Sequence, residues 1–255
     1  MTGSEETLSF RLAYVPGVTP TKWVRIWNER LPGVPLELIA TPAAEAYGVL
    51  RDGGADAGFV RLPADLTYFS AIPLYEETTV VVVPKDHLFT AADEVATEDL
   101  ADEIVLHPLD DTLGWERPPG QPAFERPATT ADAIELVAAG IGLLVVPQSL
   151  ARLYHRKDLK YRTLTDAPQS RIALAWPQER TTDQVEDFIG IVRGRTVNST
   201  RGRTQPQAAA QPKAKQPGKA GARKPAAGKP AGKGSRGPRG GSGAPKGARR
   251  GKPRR

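Results

Sequence analysis

Residues 8–60 read LSFRLAYVPGVTPTKWVRIWNERLPGVPLELIATPAAEAYGVLRDGGADAGFV, and the order of periods in this stretch decides the fold. Leu8 to Tyr14 alternates apolar and polar residues, as a half-buried strand does. Pro16-Gly17 breaks the alternation, and Thr19-Pro20 supplies a cap residue with proline at the first helical position. In the helix this predicts, Trp23, Trp27 and Leu31 fall at i, i+4 and i+8, one apolar stripe that must face a sheet. Pro32-Gly33 ends it. Leu36 to Ala40 reads as a second strand and Ala43 to Arg51 as a second helix, and Asp52-Gly53-Gly54 turns the chain into a third strand over residues 55–60. Strands alternating with helices of this length predict parallel pairing, right-handed crossovers and a sheet covered on both faces.

Working outward, residues 72–83 form a long apolar run whose β-branched end, Thr78 to Val83, stops at Pro84 and reads as a strand leaving this first unit. A second unit is expected beyond it: a strand at Ile104–Leu106, a helix at Thr130–Ala139, a strand at Leu143–Val146, a helix at Ser149–Tyr154 and a strand at Leu159–Leu164. After Gln169 come a strand over Arg171–Trp176 and a helix over Thr182–Arg193, opened by Thr181 with Gln184 at the capping-box distance. These last two elements are expected to rejoin the first unit. No internal repeat is visible.

Three stretches resemble the effector-binding domain of LysR-type transcriptional regulators. The first is VLRDGGADAGFVRLP (49–63) with IPLYEETTVVVVPKDHLF (72–89), similar to that family's glycine turn, short strand ending in a basic residue, and crossover strand. The second is EDLADEIVL (98–106). The third is AIELVAAGIGLLVVPQSL (133–150), a helix packed through glycines onto a strand. The resemblance covers residues 8–195. It implies an α/β fold of two Rossmann-like subdomains hinged by two crossovers, like type 2 periplasmic binding proteins, with a ligand in the cleft between them. Residues 8–83 and 170–197 would form subdomain I and 84–169 subdomain II, with crossovers near Val83-Pro84 and Gln169-Ser170. The family also carries an N-terminal helix-turn-helix and a linker helix. Only Met1 to Thr7, expected to be disordered, stand before the first strand here, so no DNA-reading helix-turn-helix is expected in this chain.

Beyond Val197 the sequence holds no Val, Ile, Leu, Met or aromatic residue, so no core can form and residues 198–255 are expected to be disordered. Residues 201–255 carry 17 Lys and Arg with no Asp or Glu. The rest of the chain has 18 Lys and Arg against 29 Asp and Glu, a net charge of −11. The basic segment suits sequence-independent nucleic-acid contact through cations such as Arg223, Lys224, Arg249, Arg250, Arg254 and Arg255, because counterion release needs charge but no fixed geometry. It lacks aromatic platforms for stacking bases. A linker, or a segment folding back on the acidic body, is the plainer account of it. The absence of cysteine removes disulfides and thiolate chemistry. With neither a secretory signal nor an apolar run of membrane-spanning length, a cytoplasmic protein is expected, nucleoid association included and membrane contact excluded.

In α/β sheets ligands sit beyond the carboxyl ends of strands. Four loops qualify, which makes Thr19, Thr21, Thr41, Arg61, Thr129 and Thr130 candidate ligand-binding residues, with His107 at the end of a strand as a seventh. Thr19 and Thr129 also suit plain helix caps, and Arg61 suits either a bidentate hold on a carboxylate or the protein surface. The residue pattern implied by the resemblance favours the cleft. Trp115, in the proline-rich stretch 110–127, suits a flap over the cleft or, more plainly, a loop pinned by one aromatic. The three histidines make no metal spacing. No G-x-S-x-G, H-E-x-x-H or Walker sequence is present, and the G-x-G-x-x-G at 232–237 has no strand before it. No cofactor and no enzymatic activity are expected. The sequence reads as a LysR-type substrate-binding domain protein, a sensor of a small, anionic metabolite with a regulatory role and room for a homodimer. The alternative is a nucleic-acid-associated protein that works through its basic segment, the domain serving to dimerise it. An enzyme on the same fold is the third reading, with no acid–base pair to support it.

Overall fold

The computed structural model describes residues 9–195. In chain order these form β1 (Phe10–Tyr14), α1 (Thr21–Arg30), β2 (Leu36–Ala40), α2 (Ala46–Arg51), β3 (Ala57–Arg61), β4 (Phe69–Glu77) and β5 (Thr79–Pro84). There follow β6 (Glu94–Ala96), β7 (Ile104–Leu106), β8 (Gln121–Pro122), α3 (Thr130–Ala138), β9 (Leu143–Pro147) and α4 (Gln148–Leu153). The described chain closes with β10 (Leu159–Thr165), β11 (Ser170–Pro177) and α5 (Asp183–Val192). The strands make two sheets, ordered β2-β1-β3-β11-β4 and β6-β10-β5-β9-β7-β8.

The first sheet gathers its core where the tryptophan stripe predicts. Trp27 is fully buried, stacked on Phe10 of β1 at 4.6 Å between ring centroids, and Phe188 of α5 lies 5.2 Å from Phe10. Trp23 meets Phe59 of β3 at 4.6 Å. The two-residue period sends Ala13 and Gly58 to the opposite face, where a Cβ on Gly58 would touch Leu50 of α2 at 3.4 Å. Both faces are thus covered. In the second sheet the run Val80 to Val83 alternates in the same way: Val80 and Val82 join Ile134, Leu144 and Leu150 on one side, while Val81 and Val83 join Phe89, Leu100 and Val145 on the other. A strand buried on both faces has to read as unbroken apolar sequence.

Parallel pairing holds for β1 with β2, β1 with β3 and β7 with β9, but not throughout. β11 runs antiparallel to β3 and β4, and β5 runs antiparallel to β9 and β10. The reason lies in how the chain passes between the sheets. It leaves the first through β4 into β5 and returns through β10 into β11, so the outgoing and returning segments run side by side in opposite directions. The Thr79 Oγ1 hydroxyl donates to the Pro168 carbonyl at 2.5 Å, joining the two passages. The outgoing passage falls at Thr78, since Thr79–Pro84 already pairs in the second sheet, and not at Val83-Pro84 as the sequence suggested.

Local signals are corrected at two helix caps, and the plainer reading of Trp115 holds. Pro20, not Thr19, occupies the N-cap of α1, and no side chain caps it. The cap of α5 is Thr182, whose hydroxyl accepts from the Val185 N–H at 3.3 Å, one residue beyond the expected Thr181. Trp115 packs with Leu113 and Ala167 against the outer core of the second sheet, which accords with a pinned loop and not with a flap.

Truncating Trp27 to Ala removes the ring on which Phe10 stacks and should cost about 3–5 kcal/mol, the usual range for a buried large aromatic. Urea unfolding followed by circular dichroism measures it; a loss below about 1 kcal/mol would show that the first core does not depend on this stack.

Candidate functional site

The site begins with one charge. β3 ends at Arg61, whose residue is 7% exposed, and burying a guanidinium is costly unless its donors are satisfied. Its Nη1 donates to the Glu77 carboxylate, an ion pair buried on both sides, and to the Ser170 hydroxyl. Its Nη2 donates to the Pro16 carbonyl at 3.1 Å and lies 3.5 Å from Ser149 Oγ. Its Nε is buried without a partner. Glu77 is the last residue of β4 and Ser170 the first of β11, paired across the sheet at the point where both passages start. Arg61 therefore ties both passages to the loop after β1 and to α4.

Two tyrosines frame this ion pair. The Tyr47 hydroxyl donates to the Arg61 carbonyl at 2.9 Å, and burial pushes its pKa up to about 12. Burial, then the Glu77 carboxylate, raises that of Tyr75. Both remain neutral donors at ordinary pH.

Above the Arg61 tie lies a cavity of about 570 Å³. The β1–α1 loop forms one wall through Pro16, Gly17, Val18 and Thr19, with Tyr14 at its root. The end of β2 adds Ala40 and Thr41, and α4 closes the far side with Ser149, Arg152, Leu153 and Tyr154. Gly17 has φ +89, and a Cβ there would run into Ser149 and stand 3.3 Å from Arg61 Nη2. This is a place where only glycine lets the loop approach so closely. No Asp, Glu or His lines the cavity.

Thr19 and Thr41 are the two sequence candidates that line it. Thr19 is exposed; Thr41 is buried, its hydroxyl donating to the Ile39 carbonyl at 3.2 Å. Arg61 sits beneath the wall with its charge already taken by Glu77. Thr21 is exposed at the start of α1. Thr129 caps α3 in a capping box with Asp132, and the buried Thr130 donates to Asp110 Oδ1 at 2.9 Å. His107 Nε2 stands 3.7 Å from Asp111 Oδ2, and its carbonyl accepts from Arg126 Nε at 2.8 Å. None of these four lines the cavity. Ser149 and Arg152 do, and sequence reasoning missed them. Their signal was the serine two residues beyond Pro147 at the end of β9, with an arginine three residues on, the spacing that sets two side chains on one helix face. Among the described residues no group of three His, Asp or Glu stands together to hold a metal ion. Nor is any helix there long and apolar enough to cross a membrane. The nucleic-acid candidates Arg223, Lys224, Arg249, Arg250, Arg254 and Arg255 lie outside the described residues.

With this geometry in place, comparison with known proteins is informative. The family model of the LysR substrate binding domain matches residues 4–196, and the chain belongs to that family. A "Probable hydrogen peroxide-inducible genes activator" of Mycobacterium avium is 34% identical over 144 residues, covering 53% of this chain and 46% of the relative. The transcriptional regulator AlsR of Bacillus subtilis is 26% identical over 184 residues, covering 66% of this chain and 59% of its own. The chain thus spans about half the length of the curated relatives it matches. Among solved structures, the BenM effector-binding domain with its effector benzoate matches at a TM-score of 0.62 and 22% identity, over 73% of this chain and 90% of that one. The oxidised form of OxyR matches at 0.59 and 20%, over 74% and 95%. The fold is the α/β, periplasmic-binding-protein-like fold of LysR effector domains.

Replacing Arg61 by Met should destabilise the domain by about 3–5 kcal/mol, because Glu77 is then left buried and unpaired. Replacing both, Arg61→Met with Glu77→Leu, should recover most of that loss. Denaturation of the two single variants and the double variant forms the cycle, and additive losses would mean the pair does not act as a unit.

Proposed function

We propose that this chain senses a small, anionic molecule in the cavity between the β1–α1 loop and α4, as the effector-binding part of a transcription regulator. The observation that carries this reading is the cavity's position. One wall belongs to the first sheet and the other to a helix of the second, so an occupant touches both. We take the two sheets, with their helices, as two subdomains hinged at Thr78 and at residues 166–169. A molecule that prefers the closed arrangement shifts the population toward it. The relatives' regulator names support the role, and a cavity lined by hydroxyls, tyrosines and one arginine without any acid–base pair supports binding over turnover.

Thermal denaturation of the full chain against a panel of charged and neutral metabolites tests it. A true effector at a hundredfold excess over its Kd adds about 2.7 kcal/mol, which raises Tm by several degrees at about 2–4 °C per kcal/mol for a domain of this size. A panel of several hundred compounds without one such rise would sink the sensor reading.

A second reading rests on a separate observation, the 17 cations and no acidic residue of residues 201–255. In it that segment holds nucleic acid without sequence preference, close to the nucleoid, and the domain dimerises the chain. Fluorescence anisotropy with a labelled duplex should show affinity that disappears in a chain ending at Val197. The same affinity should fall with salt at a log–log slope of about −0.9 per phosphate neutralised. Equal affinity in the shortened chain excludes this role.

A further inference from the structure

We propose that Arg152 selects the effector, and that the effector is a monocarboxylate with a compact apolar body. The inference rests on the cavity being the effector site and names the chemistry of its occupant.

Arg152 is the one charged residue lining the cavity. Its Nε donates to Tyr161 Oη at 3.3 Å, and among the described residues neither Nη has a hydrogen-bond partner and no carboxylate pairs with it. The other arginine at this junction offers the opposite case: Arg61 is bound to Glu77 and cannot turn to a ligand without leaving that carboxylate buried and alone. The sequence's choice of Arg61 as the anion holder is therefore replaced by a residue whose charge is still available.

Three features around Arg152 fit one carboxylate. A guanidinium held at Nε presents its Nη pair as a fork matching the two oxygens of that group. Ser149 lies one helical turn away on α4, and its Oγ already faces Arg61 Nη2 at 3.5 Å, so its O–H proton is left to donate toward the cavity. The tether to Tyr161 also restricts the side chain before a ligand arrives, which lowers the ordering cost of binding. The rest of the lining is largely apolar, with Tyr14, Val18, Leu153 and Tyr154; Thr19 adds an exposed hydroxyl, and Thr41 already donates its proton to the Ile39 carbonyl. A second negative charge, as on a phosphate dianion or a dicarboxylate, would meet only neutral groups, with no second cation in the lining to pair it.

Isothermal titration of the full chain tests the inference, with hexanoate, cyclohexanecarboxylate and phenylacetate as probes beside their primary amides, adipate and inorganic phosphate. At least one monocarboxylate should bind ten times or more tightly than its amide and than either dianion. Arg152→Gln should abolish that preference, Arg152→Lys should restore part of it, and Arg25→Gln, on exposed α1 surface, should leave it intact. Because Arg152 is exposed, the variants should unfold at the wild-type Tm, which separates lost recognition from lost folding. An amide that binds as tightly as its acid, or a preference that survives Arg152→Gln, overturns the selection by Arg152 and leaves the cavity reading standing. Silence from every monocarboxylate alongside a hit from the neutral part of the metabolite panel overturns the monocarboxylate while the sensor survives. Silence from both ends both.

Discussion

A single guanidinium, shut away from water at the end of β3, sets the conditions for everything around it. Arg61 needs an anion and several acceptors, and the chain delivers them from four places: Glu77 at the end of β4, Ser170 at the start of β11, the Pro16 carbonyl and the Ser149 hydroxyl. Ser170 lies 109 positions away along the chain. Removing one contributor strands part of a buried charge, so the placement of each of these segments is tied to that of the others. The unpartnered Nε shows that even this convergence is incomplete.

The same convergence builds the cavity. Pro16 and Ser149 each touch Arg61 on one side and line the cavity on the other, so its floor is the upper surface of the ion-pair cluster. Two arginines meet at this junction with opposed electrostatics. Arg61 is ion-paired with Glu77, whereas Arg152 has no carboxylate partner among the described residues and lines the cavity.

Much of the fold was legible in the sequence. The i, i+4 spacing of Trp23 and Trp27 located the helix face that buries against Phe10 and Phe59, and the apolar run Thr78 to Val83 announced a strand. Thr129, named as a possible helix cap, stands directly before α3. The candidate site was only partly legible. Thr19 and Thr41 follow strand ends, which can be read from periodicity, and both line the cavity. Arg61 was named as a position, but nothing near it in the sequence reveals that Glu77 will be its partner. Arg152 was missed because α4 is a short helix whose approach to the β1–α1 loop has no local signature.

By itself, then, the sequence determined the alternation of strands and helices, the family, and the division between an acidic folded part and a basic segment after Val197. Each of these is a property of neighbours within a few turns of chain or of composition, which hydrophobic periodicity and charge express directly. The tertiary structure alone decided that β11 returns antiparallel, that the chain passes between sheets at Thr78, and which of two arginines is paired with a buried carboxylate. Those outcomes depend on which distant segments come within hydrogen-bond reach, and the energy of a buried charge is set by that through-space company and not by its own place in the chain.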